Sequence, residues 1–388
     1  MGNRLKGNLS DFFQQADLTL LSLCCVSTLY GIALIYSATR YRGSNRFVIV
    51  QLAALCIGVC LYIFLSMVDV EILVKRWKWI VGFNALSILM LVPFGIEEGG
   101  NRAWIGFSWL PVSIGPAEFV KITFVLLLAK QLAWLREEKR DLKSFSAALF
   151  VGGHTVALCG LYFAISGDMG NTLVFVFIFV CTAFAAGFAL RWFVLAFGGA
   201  GIGIALLWKF TDLIPLYMQE RFIVLFDHSY SPLKRGWQQT RSLLAIGSGG
   251  VFGQGYLHGT QTQSSSPQSL PARWTDFIFS VAGEELGLIG CLCIIVLLSA
   301  IIVRCLLVAR HAQTNYSAYV CVGIAAMLIF QTLENIGMCL FVMPVIGLTL
   351  PFFSYGGSSI VTLFAAMGVV SGIKKRSPSL RRMGRFMR

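Results

Sequence analysis

Residues 277–308 read FIFSVAGEELGLIGCLCIIVLLSAIIVRCLLV, and only Glu284, Glu285 and Arg304 in that stretch carry a formal charge. A helix that crosses a bilayer needs about 20 predominantly apolar residues, so this run spans with residues to spare. Its hydrophobicity is continuous, without the alternation of a membrane β-strand. Nine further runs of the same kind fall at 18–37, 46–68, 79–96, 116–135, 145–165, 169–190, 192–210, 316–342 and 353–373. The chain reads as an all-α polytopic membrane protein with about ten transmembrane helices.

Composition agrees. Of 388 residues, 57% are hydrophobic and 13% charged, against roughly 45–50% and about 25% in soluble globular chains. Mean hydropathy is +0.76, which leaves too little polar surface for a water-soluble body of this size. The same figures exclude an intrinsically disordered chain, a collagen and a small disulfide-stapled scaffold. A net charge of +13 would suggest nucleic acid in a soluble protein. Here the basic residues flank apolar runs, and no recognition helix or zinc finger accompanies them, so no nucleic-acid partner is expected. Eleven Cys cannot all pair. They lie in or near the ends of apolar runs and read as small packing residues.

The first run follows the polar stretch around Asp11 and Asp17 without a small-residue cleavage site, and is read as a retained helix. Ten spans put both termini on one side. With both in the cytoplasm, inside segments hold twenty basic residues, including Lys75, Arg76, Lys78 and seven in the tail. Short outside loops hold four, Arg40, Arg42, Arg46 and Arg102. The positive-inside rule then places both termini in the cytoplasm. Residues 211–276 form a large extracytoplasmic loop between helices 7 and 8, with short helical or interfacial pieces that include the Gly/Ser-rich run 247–255. Loops of this length are uncommon unless functional. The chain is thus a single transmembrane domain over 1–388, with that loop inside it and a basic cytoplasmic tail at 374–388 suited to anionic membrane lipid.

Charges at membrane depth are expensive and mark functional candidates. Glu118 and Lys121 stand three apart on the fourth helix and share a face; they read either as a structural ion pair or as a polar patch facing a substrate cavity. Glu334 is a further intramembrane acid, expected to be hydrogen-bonded within the bundle. Asp276 stands where the long loop meets the eighth helix. There an Asp commonly caps the helix, yet a carboxylate at a wet mouth beside apolar walls also suits a general base with a raised pKa. Glu284 and Glu285 lie about 12 Å deeper at helical rise, where a cation, a polar head group or a buried network would each account for them. Arg102 suits a phosphate, Trp104 suits the interfacial belt, and Asp168 precedes the sixth helix as a cap. No GxGxxG runs from Gly247, because Phe252 stands at its last position, and no GxxxxGK[ST] occurs, so neither ATP nor NAD is expected. His154, His228, His258 and His311 lack the spacing of a structural zinc site.

Several longer motifs carry more. They are Asn101–Ile105 with Pro116–Lys121, Ser166–Thr172, Ala245–Gly250, Thr275–Phe279 with Gly283–Gly287, and Asn335–Met338 leading to Leu350–Ser359. In that order they resemble the SEDS family, whose members include RodA, FtsW and SpoVE. Residues 255–261 (GYLHGTQ) look more like the elongation member, RodA. Two departures from the family pattern appear: Ala117 stands for the usual Ser, and Ala272-Arg273-Trp274 replaces the common Glu-x-His approach to Thr275.

The resemblance implies a peptidoglycan glycosyltransferase that polymerises lipid II at the outer face of the cytoplasmic membrane. The family's essential acid aligns with Asp276. Arg102, Trp104, Glu118, Lys121, Asp168, Glu284, Glu285 and Ser358 are the expected substrate-binding or cavity-lining residues. Expected partners are lipid II, the nascent glycan strand, a class B penicillin-binding protein transpeptidase and other elongation or division proteins. No nucleotide or organic cofactor is implied; Arg, Lys or a divalent cation such as Mg or Mn would balance the leaving pyrophosphate. Two rivals remain on the residues alone: a carrier that flips the lipid-linked precursor, and a scaffold that recruits other wall-building proteins. The division and sporulation members of the same family stand beside the elongation role.

Overall fold

In hydrocarbon a backbone N–H or C=O finds no water, so each apolar run satisfies its own backbone as a helix. The computed structural model describes residues 16–98, 101–106, 113–138, 142–209, 219–220, 223–225 and 236–377. Its longer helices are α1 (Leu18–Thr39), α2 (Arg46–Met67), α3 (Trp77–Leu89), α4 (Pro116–Glu137), α5 (Phe145–Ser166) and α6 (Met169–Ala186). They continue as α7 (Leu190–Lys209), α8 (Trp237–Gly249), α9 (Ile278–Arg310), α10 (Asn315–Cys339) and α11 (Gly357–Arg376). Among the described residues, eight helices are long and apolar enough to cross a membrane. The protein is a multi-pass, all-α membrane protein.

The two remaining expected spans are α4 and α7. α4 has 22 residues but carries Glu118, Lys121, Lys130, Arg136 and Glu137, and most of it is buried against other helices. It runs through the bundle interior, where Glu118 and Lys121 neutralise each other. α11 and α10 are buried along most of their length beside it, whereas α2 and α5 turn Ile49, Ile57, Phe64, Leu149 and Val156 outward. Exposed apolar faces of this kind belong against lipid.

One latch fixes one end of the bundle. Asp17, fully buried at the N-cap of α1, bonds Arg304 near the end of α9 at 2.8 Å and Lys374 of α11 at 2.9 Å. Its N–H donates to Ser371 Oγ at 3.0 Å. The start of α1 and the ends of α9 and α11 therefore share one face, as an even number of crossings requires.

Some boundaries differ from the hydropathy runs. The run at 79–96 ends as a helix at Leu89, with a last turn over Leu91–Phe94, because Pro93 lacks the N–H to continue it. The chain then enters strand β1 (Gly95–Glu98), paired antiparallel with β2 (Asn101–Ile105). The last span begins at Gly357 instead of 353, since Leu350–Ser354 form turns tied to α2: Gln51 Nε2 donates to the Ser354 carbonyl at 3.0 Å. The long loop contains α8, which lies on α9 and α10. There the Ser242 and Ser280 hydroxyls bond at 2.6 Å, and Ser242 Oγ donates to the Cys339 carbonyl at 2.7 Å. Most of the loop before α8, Gly99–Gly100 and the tail after Ser377 lie outside the described residues.

α9 is broken. Gly287 sits at φ 66°, ψ −160° within it. The groups freed by the break bond to the segment after α8: Gln254 N–H donates to the Glu284 carbonyl at 2.9 Å and Gly255 N–H to that of Glu285 at 3.0 Å. In return Leu288 N–H donates to the Gly250 carbonyl at 2.9 Å. A helix can break at this depth only where another segment satisfies its backbone. Gly287 and Gly253 face each other there, and a Cβ on either would meet backbone of the opposite segment.

Candidate active site

The peptide that carries Asp276 is held from two sides. The Trp274 carbonyl accepts from Tyr355 N–H at 2.8 Å, and the Thr275 carbonyl from Ser354 Oγ at 2.6 Å. Asn335 Nδ2 of α10 donates at 2.8 Å to the Asp276 carbonyl and at 2.8 Å to that of Leu348. Three successive carbonyls are thereby fixed. Phe277, not Asp276 or Thr275, occupies the N-cap of α9, and no side chain caps that helix. Helix capping therefore does not account for Asp276.

Asp276 is half-buried, just outside the spanning part of α9. Loss of solvent around the carboxyl pushes its pKa from 3.8 up to about 6, partly offset by the Thr275 hydroxyl. A carboxylate of that strength accepts a proton near neutral pH better than an ordinary Asp.

The ion pair on α4 is present: Lys121 Nζ lies 2.8 Å from Glu118 Oε1, with both side chains largely buried. Glu118 lies in the first turn of α4, where the helix dipole favours an acid. Trp104 of β2 packs at Gly115, just before that turn, and Gly115 N–H faces Ser358 Oγ at 3.5 Å. Trp104, Glu118, Lys121 and Ser358 thus form one group, joined to Asp276 through the Ser354–Gly357 turn. Asp168 is the N-cap of α6, accepting Asn171 N–H at 3.1 Å and the Tyr162 hydroxyl at 2.8 Å. Its helix start packs on Ile346 and Leu348, behind the Asn335 link.

Three expected residues lie apart from that group. Arg102 is exposed on β2, its nearest acceptor the Val92 carbonyl at 3.5 Å. Glu284 and Glu285 are fully buried in a hydrogen-bonded network that anchors the loop after α8. Glu284 accepts Gln261 N–H at 2.7 Å, Thr262 N–H at 2.8 Å and the Thr262 hydroxyl at 2.6 Å. Glu285 accepts the Ser37 hydroxyl at 2.6 Å and Gln263 Nε2 at 2.9 Å.

Glu334 differs from its expectation. It is 2% exposed, yet neither carboxyl oxygen has a hydrogen-bond partner among the described residues. It lies near enough to Asp276 for the two carboxyls to interact electrostatically. Gln331 Oε1 and Asn335 Oδ1, on the same helix face, are also buried and unpartnered. Among the described residues no group of three or more His, Cys, Asp and Glu could hold a metal ion. Ser354 and the α10 amides, missed as site residues, carried a signal: polar side chains within or beside long apolar runs.

The sequence model of the family described as "Cell cycle protein", covering FtsW, RodA and SpoVE, matches residues 12–378. The chain belongs to this family. It is 31% identical over 377 residues to stage V sporulation protein E of Bacillus subtilis, covering 93% of this chain and 97% of that one. It is 33% identical over 303 residues to peptidoglycan glycosyltransferase MrdB of Escherichia coli K12, covering 76% and 77%. A solved chain from a study of polymerization and crosslinking by a peptidoglycan synthase complex superposes with a TM-score of 0.75 at 27% identity, over 92% of this chain and 97% of that one. The SEDS membership that the motifs implied is thereby established.

Proposed function

We propose that this protein is a peptidoglycan glycosyltransferase that polymerises lipid II, serving cell-wall elongation, with Asp276 as its general base. The 4-hydroxyl of an N-acetylglucosamine unit attacks C1 of N-acetylmuramic acid on the donor. Asp276 takes the hydroxyl proton, the new C1–O bond forms with inversion, and polyprenyl pyrophosphate leaves with the electrons of the broken bond. The observation that carries this reading is the state of Asp276: its backbone locked by α10 and the Ser354–Tyr355 turn, its carboxyl free of cap and ion pair among the described residues, its pKa raised to about 6. Correct placement and protonation of such a base contributes about 10²–10⁴-fold in rate.

The relatives and the matched synthase chain support glycosyl transfer and a class B penicillin-binding protein as partner. The elongation role rests on the 255–261 stretch and on the likeness to MrdB, while the sporulation relative is comparably similar. With the positive-inside bias, the catalytic face is extracytoplasmic and both termini are cytoplasmic. Positive charge for the leaving pyrophosphate comes from a side chain or a divalent cation. The unpartnered oxygens of Glu334, Gln331 and Asn335 are the hard donors that Mg or Mn takes.

The test is to purify the chain with its transpeptidase partner, block crosslinking with a β-lactam and supply lipid II. Glycan strands from the wild type and none from Asp276→Ala are expected. If neither makes strands over a range of divalent ions and detergents while the wild type flips lipid II in vesicles, the chain is a carrier.

A further inference from the structure

Beside Asp276, outside the spanning helices, lies a cavity of about 180 Å³ that the reaction above leaves unused. Tyr41, Ser265, Ser266, Ser269, Arg273 and Trp274 line it. Its size, below the few hundred Å³ of a cleft for a drug-sized molecule, suits a single ring. Trp274 joins it to the catalytic peptide, two residues before Asp276, with its carbonyl held by Tyr355.

The wall is pre-organised. Arg273 is 4% exposed, and its guanidinium lies 4.2 Å from the Tyr41 ring centroid, holding that ring by one face. Arg42 holds the Trp274 ring in the same way at 4.4 Å. Ala272, a non-glycine, is kept at φ 41° between them. Strain of that kind persists only where the surroundings enforce it, and it concentrates at ligand sites.

Donor chemistry decides the ligand. The terminal nitrogens of Arg273 are spent on the loop: Nη1 donates to the carbonyls of Gln261 and Thr262, Nη2 to the Ser264 carbonyl at 2.9 Å and to Ser269 Oγ at 3.1 Å. The fork that would clamp a phosphate or carboxylate is thus occupied. Its Nε–H is buried out of a ligand's reach, with no acceptor among the described residues. The Ser265 and Ser266 side chains stand exposed at the rim. Fixed aromatic rings and rim hydroxyls, with no free charged fork, form a site for an uncharged ligand rich in hydroxyls.

We propose that this cavity is a saccharide subsite, holding an N-acetylhexosamine ring of the glycan strand next to Asp276. The inference rests on the glycosyltransferase reading and adds a place where the sugar chain is gripped outside the reacting pair. It also gives a role to Trp274, which stands where the family pattern has His.

The test measures binding of chitotetraose, a peptide-free β-1,4-linked N-acetylglucosamine tetramer, to the purified full-length protein by saturation-transfer NMR. Wild type is expected to saturate the ring and N-acetyl protons. Ser265→Trp, which fills the cavity from an exposed position, and Tyr41→Ala are each expected to weaken binding at least tenfold, while Tyr41→Phe keeps most of it. In the polymerisation assay Ser265→Trp is expected to shorten the strands while initiation continues. Equal binding by wild type and Ser265→Trp would overturn the proposal, as would displacement of the sugar by a free stem peptide, which would make the cavity a peptide site. Sugar binding with no strand synthesis from lipid II would leave the subsite standing and remove the glycosyltransferase reading; strand synthesis with no sugar binding would do the reverse.

Discussion

Asp276 and the pair Glu284–Glu285 stand eight and nine residues apart at the same end of one broken helix, yet their surroundings are opposite. Glu284 and Glu285 are fully buried, and hydroxyls, amides and backbone N–H groups of residues 37 and 259–263 take up their oxygens. Around Asp276 the arrangement is inverted: the main-chain carbonyls are bound and the carboxyl is left for chemistry. A carboxylate saturated with donors is an anchor, since its charge is spent on fixing its partners. One whose backbone is fixed and whose side chain is not saturated with donors is placed for a reaction.

The contrast is broken most severely at Asp276 itself. Asp276→Asn keeps the shape and removes the base, so polymerisation of lipid II is expected to fall by about 10²–10⁴-fold with little change in thermal unfolding in detergent. Glu284→Ala should show the converse. It strands four backbone or hydroxyl donors in the 260–262 loop, at about 1–3 kcal/mol for each buried group left unpaired. Unfolding would come several degrees lower, with activity lost through the collapsed loop. Should Glu284→Ala unfold like the wild type, the anchoring role fails.

Gly287→Ala tests the break that lets the two regions sit side by side. At φ 66°, ψ −160° an ordinary residue costs about 1–3 kcal/mol, and here its Cβ also meets the Val251–Gly253 backbone. Reduced stability is expected, to be read as a lower unfolding midpoint.

The pH dependence sharpens the comparison. With the Asp276 carboxyl raised from 3.8 to about 6, the base is ionised only above that value. The acid limb of kcat/KM should therefore bend near pH 6, and an acid limb near 4 would contradict the assignment. On stability the sign is reversed. The folded chain keeps a proton that the unfolded chain releases from 3.8 upward, so this group's contribution is full below 3.8 and fades as pH rises through about 6. The smallest effect is expected at exposed Arg102: Arg102→Ala should stay within about 0.5 kcal/mol in stability and leave turnover near wild type.

The apolar runs made the helical spans legible because length and hydropathy alone specify a crossing. The break at Gly287 was not legible. A glycine inside an apolar run looks like any spanning residue, and the segment that satisfies the broken backbone lies more than thirty residues earlier, at 250–255. Short helical pieces were expected in the long loop, but the bounds of α8 were not legible, since its polar Trp237–Arg241 start resembles loop sequence. Within the site, Asp276 was legible, but whether it capped its helix depended on where the helix began. Glu284 and Glu285 were legible as buried acids and opaque as anchors, their partners being remote in sequence. The cavity around Tyr41 and Trp274 joins the α1–α2 turn to the long loop, a juxtaposition that no local pattern records.

The central claim is that Asp276 removes the proton from the attacking hydroxyl. Its most direct test is the single-turnover rate of glycosidic bond formation from lipid II by Asp276→Asn, at a temperature where variant and wild type are equally folded. A rate at least about a hundredfold below wild type is expected. Strand formation at the wild-type rate would contradict it.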